Sequence, residues 1–196
     1  ETIFISGGPW TLTMGDTDGG FDNAMIEVPV GGDITDAVEN AGAGYDGNGG
    51  LDGFYDGQIA RLDYAFDAFE VSFSVELCDD CDDVAGEDTS FSGDPVYGIG
   101  ASYEFGDFSF GAGYQWVSWS LEDTGADFDT DADIYIAGIS GAYSMGDITV
   151  GANYSFGEAD LDFTGASAPD DITFDYTHFG LGAAYSMDAW TFAANW

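Results

Sequence analysis

Residues 69–77 read FEVSFSVEL. Phe69, Val71, Phe73, Val75 and Leu77 share one parity, and Glu70, Ser72, Ser74 and Glu76 share the other. A period of two over this length predicts a β-strand with one apolar and one polar face. The pattern recurs. Tyr97, Ile99, Ala101, Tyr103 and Phe105 alternate with Gly, Ser and Glu104. Phe108, Phe110, Ala112, Tyr114 and Trp116 alternate with Ser109, Gly111, Gly113 and Gln115. The runs Ile148 to Phe156 and Phe179 to Tyr185 behave alike. Between Asp133 and Tyr143 the parity slips, because Ile134 and Ile136 oppose Ile139 and Tyr143, and a bulge is expected there.

About ten strands follow, at 1–6, 10–15, 58–66, 69–77, 96–105, 108–120, 132–145, 148–156, 173–187 and 190–196. Short connections (Asp67-Ala68, Gly106-Asp107, Gly146-Asp147, Asp188-Ala189) are tight hairpin signals. They alternate with long acidic connections at roughly 78–94, 121–131 and 157–172. The hairpin unit repeats at 103, 143 and 185. A propeller is disfavoured, since its blades hold about four strands and each repeat here holds two.

Composition narrows the class. Hydrophobic residues are 45% of the 196, which argues against a disordered acidic tail. There are 38 acidic residues against a single Arg and no Lys, for a net charge of −37. Nucleic acid is thereby nearly excluded, because phosphate binding needs clustered cations. Two readings of the charge stand: solubility in salt water, or a surface that attracts cations. No apolar run reaches the ~18 residues of a membrane helix. The chain opens on Glu1 and stops at AANW, each within strand pattern, so both ends read as cuts.

Charge is concentrated in the long connections, while the polar parity of the strands is mostly Gly, Ser, Ala and Thr. That distribution suits strands of about 9–11 residues that present an apolar side to lipid and a small or polar side to a lumen. Tyr103, Phe105, Phe108, Tyr143, Tyr185 and Trp190 flank the short turns, as aromatic girdles do at membrane–water borders. The fold expected is therefore all-β, a transmembrane antiparallel up-and-down β-barrel. The competing reading is a soluble sandwich with aromatic ribs. Residues 17–57 form a loop far longer than a hairpin needs. Within it, DITDAVEN at 33–40 reads as one or two helical turns with Asp33 as N-cap. Folded inward, such a loop would narrow the pore and give it a negative field; otherwise it stands in solvent.

ETIFISG, TLTMGD, the acidic loop closing in GLDGFYDGQIARLDYAF, and DPVYGIGASYEFG resemble the general diffusion porins of alphaproteobacteria over nearly the whole chain. The resemblance implies outer-membrane trimers whose barrels hold roughly 16 strands, so that the strands here are part of a larger sheet, or else close into a smaller one. It implies one barrel domain over 1–196, with 17–57 as the eyelet loop. Outer-membrane lipid, lipopolysaccharide, small hydrophilic solutes and ions are the implied partners. Two departures stand out. The family carries a basic cluster facing the loop, and only Arg61 is present; GGPW at 7–10 is an unusual turn.

Arg61 and Asp63 are expected on the pore wall, with Glu70 and Glu104 on the same lumenal parity, and Asp33, Asp36 and Glu39 at the constriction. Asp16, Asp18 and Asp22, and Asp46, Asn48, Asp52 and Asp56, are candidate calcium ligands by oxygen chemistry, strengthened by the resemblance. Neither set has EF-hand spacing, and solvated carboxylates are the alternative. Cys78 and Cys81 in LCDDCDD could form a loop disulfide or remain thiols. The single His, His178, lies in a strand pattern and no nucleophile motif occurs, so an enzyme is not expected. The expected function is a passive, cation-preferring channel. The alternative is a calcium-dependent structural or adhesive β protein.

Overall fold

The computed structural model describes residues 1–26, 50–55, 57–78, 89–123 and 128–195. Its strands are β1 (Thr2–Gly7), β2 (Trp10–Gly15), β3 (Ile59–Phe66), β4 (Phe69–Glu76), β5 (Thr89–Gly93), β6 (Val96–Phe105), β7 (Phe108–Asp123), β8 (Phe128–Met145), β9 (Ile148–Gly165), β10 (Ile172–Met187) and β11 (Trp190–Asn195). Among the described residues a short helix, α1 (Gly20–Ala24), follows β2. The strands form a single antiparallel sheet in the order β1-β2-β3-β4-β6-β7-β8-β9-β10-β11, with β5 also on β7. The sheet is all-β, up-and-down and open, with β1 and β11 as its edges.

Each short turn has a positive φ at its first residue: Gly8 62°, Asp67 57°, Gly106 61°, Gly146 60° and Asp188 53°. Their second residues do not share it, the pattern of a II′ hairpin whose twist matches the strands. This accounts for GGPW. Pro9 occupies the second position, where its fixed negative φ fits, and its carbonyl accepts the N–H of Ala65 at 2.7 Å. Ala68, Asp107 and Asp147 do likewise for Glu104, Ser144 and Ser186 at 2.8–2.9 Å. The short turns are thus knitted into one rim.

The predicted strand cores are found, with three corrections. An eleventh strand, β5, lies where a loop was expected. Its register on β7 (Gly93↔Trp119) and that of β6 (Tyr97↔Trp116) differ by one residue, so Asp94 and Pro95 together face Ser118. That is a β-bulge, and Pro95 supplies its cause by lacking an N–H. Second, there is no bulge in β8. Its pairing with β7 runs unbroken from Phe108↔Tyr143 to Asp123↔Phe128. Third, β7, β8 and β9 run into the expected long loops; β9, for example, extends to Gly165.

The last two corrections share one cause. Along each long strand the two faces exchange character at a common level. Near the short turns, Ile139 of β8 and Tyr154 of β9 point outward, and Ser140 and Asn153 point inward and are buried. Beyond the register row Trp116–Tyr135–Glu158–Asp175, the outward positions become Ser118, Asp133, Asp160 and Thr173. The inward ones become Val117, Ile134, Ala159 and Phe174. The parity slip read from Ile134 and Ile136 is therefore a switch of environment along a regular strand. Aromatic rings mark the level: Tyr97 stacks on Trp116 at 5.4 Å, and Tyr114 lies 5.4 Å from Trp116 and 5.9 Å from Tyr135.

Candidate functional site

The connection between β2 and β3 leaves the sheet through residues 16–26 and returns through 50–55 and 57–58. Both ends lie on one face, here the inner one. On entry, the Gly20 N–H donates to Ser74 Oγ at 2.7 Å. Asn23 Nδ2 donates to Ser72 Oγ at 2.9 Å and to Glu70 Oε1 at 3.3 Å. The Ile26 N–H donates to Ser140 Oγ at 2.8 Å. Small hydroxyls on the inner parity of β4 and β8 thus cap backbone groups that burial would otherwise leave unsatisfied.

Beneath α1 the wall is glycine. A Cβ added to Gly100 would stand 2.5 Å from Ala24 Cβ, and one on Gly138 would stand 2.7 Å from Met25 Cε. One on Gly113 would stand 2.8 Å from Phe21 Cδ2. Only a bare backbone lets the helix lie this close to the sheet. Phe21, fully buried, packs with Met25 and Ile136, and Leu51 closes over them. This small core explains why Ile136 points inward.

On return, two carboxylates hold the loop. Asp52 accepts the Gly19 N–H at 2.5 Å and a bond from Gln115 Nε2, while Gln115 Oε1 accepts the Leu51 N–H at 2.6 Å. Asp52 therefore joins both loop ends to each other and to β7. Burial pushes its pKa up from 3.8 to about 6; the bonds from Gly19 and Gln115 pull the other way, and the charges of Asp18 and Glu76 push it further up. Glu76 is 2% exposed. It accepts the N–H groups of Gly53, Tyr55 and Gly57, each at 3.1 Å. The Tyr55 hydroxyl donates to the Asp94 carbonyl at 2.9 Å, at the β5–β6 bulge. Burial, then the charges of Asp94 and Glu76, push that hydroxyl up to about 12.

Arg61 and Asp63 share the inner wall, paired Nε to Oδ1 at 3.0 Å, with side chains only 11% and 12% exposed. Arg61 Nη1 also donates to the Asp18 carbonyl at 2.7 Å, and Ser72 Oγ donates to Asp63 at 2.7 Å. The chain's one Lys/Arg charge is therefore spent on an adjacent carboxylate and on the loop. Glu70 holds Asn23. Glu104 is exposed near the short-turn rim, opposite Ser109.

Of the calcium candidates, Asp16 is engaged through its backbone by Thr2 and Glu1, and Asp22 lies in the first turn of α1. Asp18 offers its carbonyl to Arg61. Among the described residues, no group of three or more His, Cys, Asp or Glu side chains is placed to hold a metal ion. Asp33, Asp36, Glu39, Asp46, Asn48, Asp56 and Cys81 lie outside the described residues, as does the helical turn expected at 33–40. Cys78, just past β4, is disulfide-bonded.

Sequence reading did not single out Glu76, the tethering role of Asp52, or the contacts of Gln115 and Ser140. One signal was present for Glu76: a charged residue at the end of an inner parity otherwise held by Ser72 and Ser74.

An up-and-down sheet that, on the short-turn side, has an apolar outer face and a small and polar inner face, with a long loop tethered to that inner face, defines the wall of a channel-type membrane barrel. The chain belongs to the Gram-negative porin family, whose model matches residues 1–196, and it is a bacterial outer-membrane protein. Among solved structures it is similar to a porin refined at 1.8 Å resolution, with 19% identity over 99% of this chain and 75% of that one and a TM-score of 0.46. It is also similar to two variants of the Rh. blastica porin, at 14% and 15% identity over 99% of this chain and 70% of theirs, both with a TM-score of 0.41. No curated protein sequence matches it.

Proposed function

We propose that this protein is a passive diffusion channel for ions and small hydrophilic solutes, that it prefers cations, and that it works as a homotrimer. The observation that carries the cation preference is the pairing of Arg61 with Asp63 at 3.0 Å. With that charge engaged, the carboxylates of the loop and inner wall set the sign of the field in the passage, and such a field enriches cations. Selection needs only pore width and fixed charge. The loop ends, clamped by Asp52 and Glu76 against the wall, would hold the narrowing in place. Asp33, Asp36 and Glu39, which lie outside the described residues, are the proposed carboxylates of the constriction.

The test is a planar-bilayer measurement under a potassium chloride gradient. The reversal potential should carry the sign of cation preference. Neutralising Asp33, Asp36 and Glu39 together should move it towards zero. An anion-signed potential in the unmodified protein would overturn the preference, and absence of any conductance would overturn the channel.

A further inference from the structure

The inner face of a water-filled passage should be polar, yet beyond the docked loop it is not. A cavity of about 470 Å³ opens there. Leu51 forms one side, and Ile134, Ile136, Ala159, Phe174 and Tyr176 form the wall. Register places these wall positions in two adjacent inner rows across β8, β9 and β10: Ile134–Ala159–Phe174 and Ile136–Gly157–Tyr176. Phe174 is 56% exposed and Tyr176 41%, although both lie on the inner parity. The volume is that of a small-molecule pocket, and the lining has the apolar, aromatic character of one. Its charge surroundings are one-sided. Glu158 and Asp175 are among the lining residues, Asp52 adjoins Leu51 in the chain, and the lone Arg is occupied by Asp63. An apolar anion would meet repulsion there. A fully hydrated metal ion would gain nothing from the apolar wall.

We propose that this cavity is a binding site for small organic cations that carry an aromatic or aliphatic body, seated with the body on Ile134, Ala159 and Phe174 and the cationic group towards the carboxylates around its margin. Aromatic faces at Phe174 and Tyr176 add attraction for the cation itself. The site deepens the channel reading by naming a class of solute that would dwell in the passage, and it rests on that reading for the accessibility of the inner face.

The test uses the protein reconstituted in lipid nanodiscs and ligand-observed NMR, so that binding is read without conductance. Phenyltrimethylammonium, tetramethylammonium and benzenesulfonate separate the body from the charge. Phenyltrimethylammonium should half-saturate at a concentration about tenfold below that of tetramethylammonium, and benzenesulfonate should not bind. Phe174→Ser should remove most of that tenfold difference, and Ile134→Ser serves the same end should the first variant fail to insert. Equal binding of the two cations, binding of benzenesulfonate, or an unchanged difference in both variants would overturn the site. Potassium chloride conductance of the same samples in bilayers reports separately on the channel.

Discussion

Glu76 lies at the end of β4 and accepts the backbone N–H of Tyr55 at 3.1 Å, with Gly53 and Gly57 donating to the same carboxylate. One buried side chain thus satisfies three amides of the returning loop. Glu76→Ala strands those donors and is expected to cost about 2–4 kcal/mol of loop docking. Glu76→Gln retains one acceptor oxygen and should fall between. Limited proteolysis of the folded protein checks this: cleavage between β2 and β3 should accelerate in the order wild type, Gln, Ala. Equal rates would mean the loop is held elsewhere.

The glycine bed makes a sharper prediction because it has an internal control. A side chain at Gly113 meets Phe21 at 2.8 Å, against a neighbour that is fully buried. Gly113→Val should destabilise by about 1–3 kcal/mol through overpacking, and should lift α1 from the wall. Gly141 lies on the outer parity of β8, where an added Cβ finds Phe110 at an ordinary 3.6 Å. Gly141→Ala should stay within about 0.5 kcal/mol. Thermal melting of the two variants in the same detergent decides the matter; equal shifts would show that the helix does not need the close approach.

What the sequence made legible follows from period. The strand segments Phe69 to Glu76, Tyr97 to Phe105, Phe108 to Trp116 and Ile148 to Phe156 were readable because an environment with two sides imposes a repeat of two. The turns were readable because a positive φ selects Gly or Asp. Strand β5 was not, because Phe91 has only polar neighbours and too little length to show a period. The inward Ile134 and Ile136 were seen but assigned to a bulge, since parity alone cannot distinguish a kinked strand from a straight one whose surroundings change. The loop tethers were illegible for another reason. Whether Ser74 or Gln115 faces water or an inserted segment depends on partners 54 and 64 positions away, and local pattern carries no trace of such partners.

Asp52 gives the docked loop a pH dependence. Its pKa rises from 3.8 to about 6 in the docked state, chiefly through burial. Docking and proton uptake therefore favour each other. The contribution is fully present below the undocked pKa, is lost as pH rises through about 6, and does not change further above that. Protease cleavage within the loop should be slower at about pH 5 than at about pH 7, with the protease's own pH response subtracted by an unstructured peptide control. In Asp52→Asn the step should vanish. A step of the same size in that variant would assign it to another group.

The exchange of faces along β8 predicts where lipid ends. Ile139 is outward and 62% exposed, among aromatic and aliphatic neighbours, while Asp133 is outward on the same strand beyond Tyr135, with Ser118 Oγ donating to it at 2.5 Å. Both positions are exposed on one face of one regular strand, so secondary structure and burial do not separate them; only the medium outside does. In a uniform aqueous medium, a charge at either place would be harmless. In an outer membrane whose hydrocarbon stops near the Trp116–Tyr135 row, Ile139→Lys should cost about 2–4 kcal/mol, and Asp133→Ala should change stability by less than about 0.5 kcal/mol. Urea-dependent folding into lipid vesicles, read by the gel mobility of folded and unfolded forms, measures both. Wild-type behaviour of Ile139→Lys would show that this face does not meet acyl chains. A large loss in Asp133→Ala would place the boundary beyond the aromatic row instead of at it.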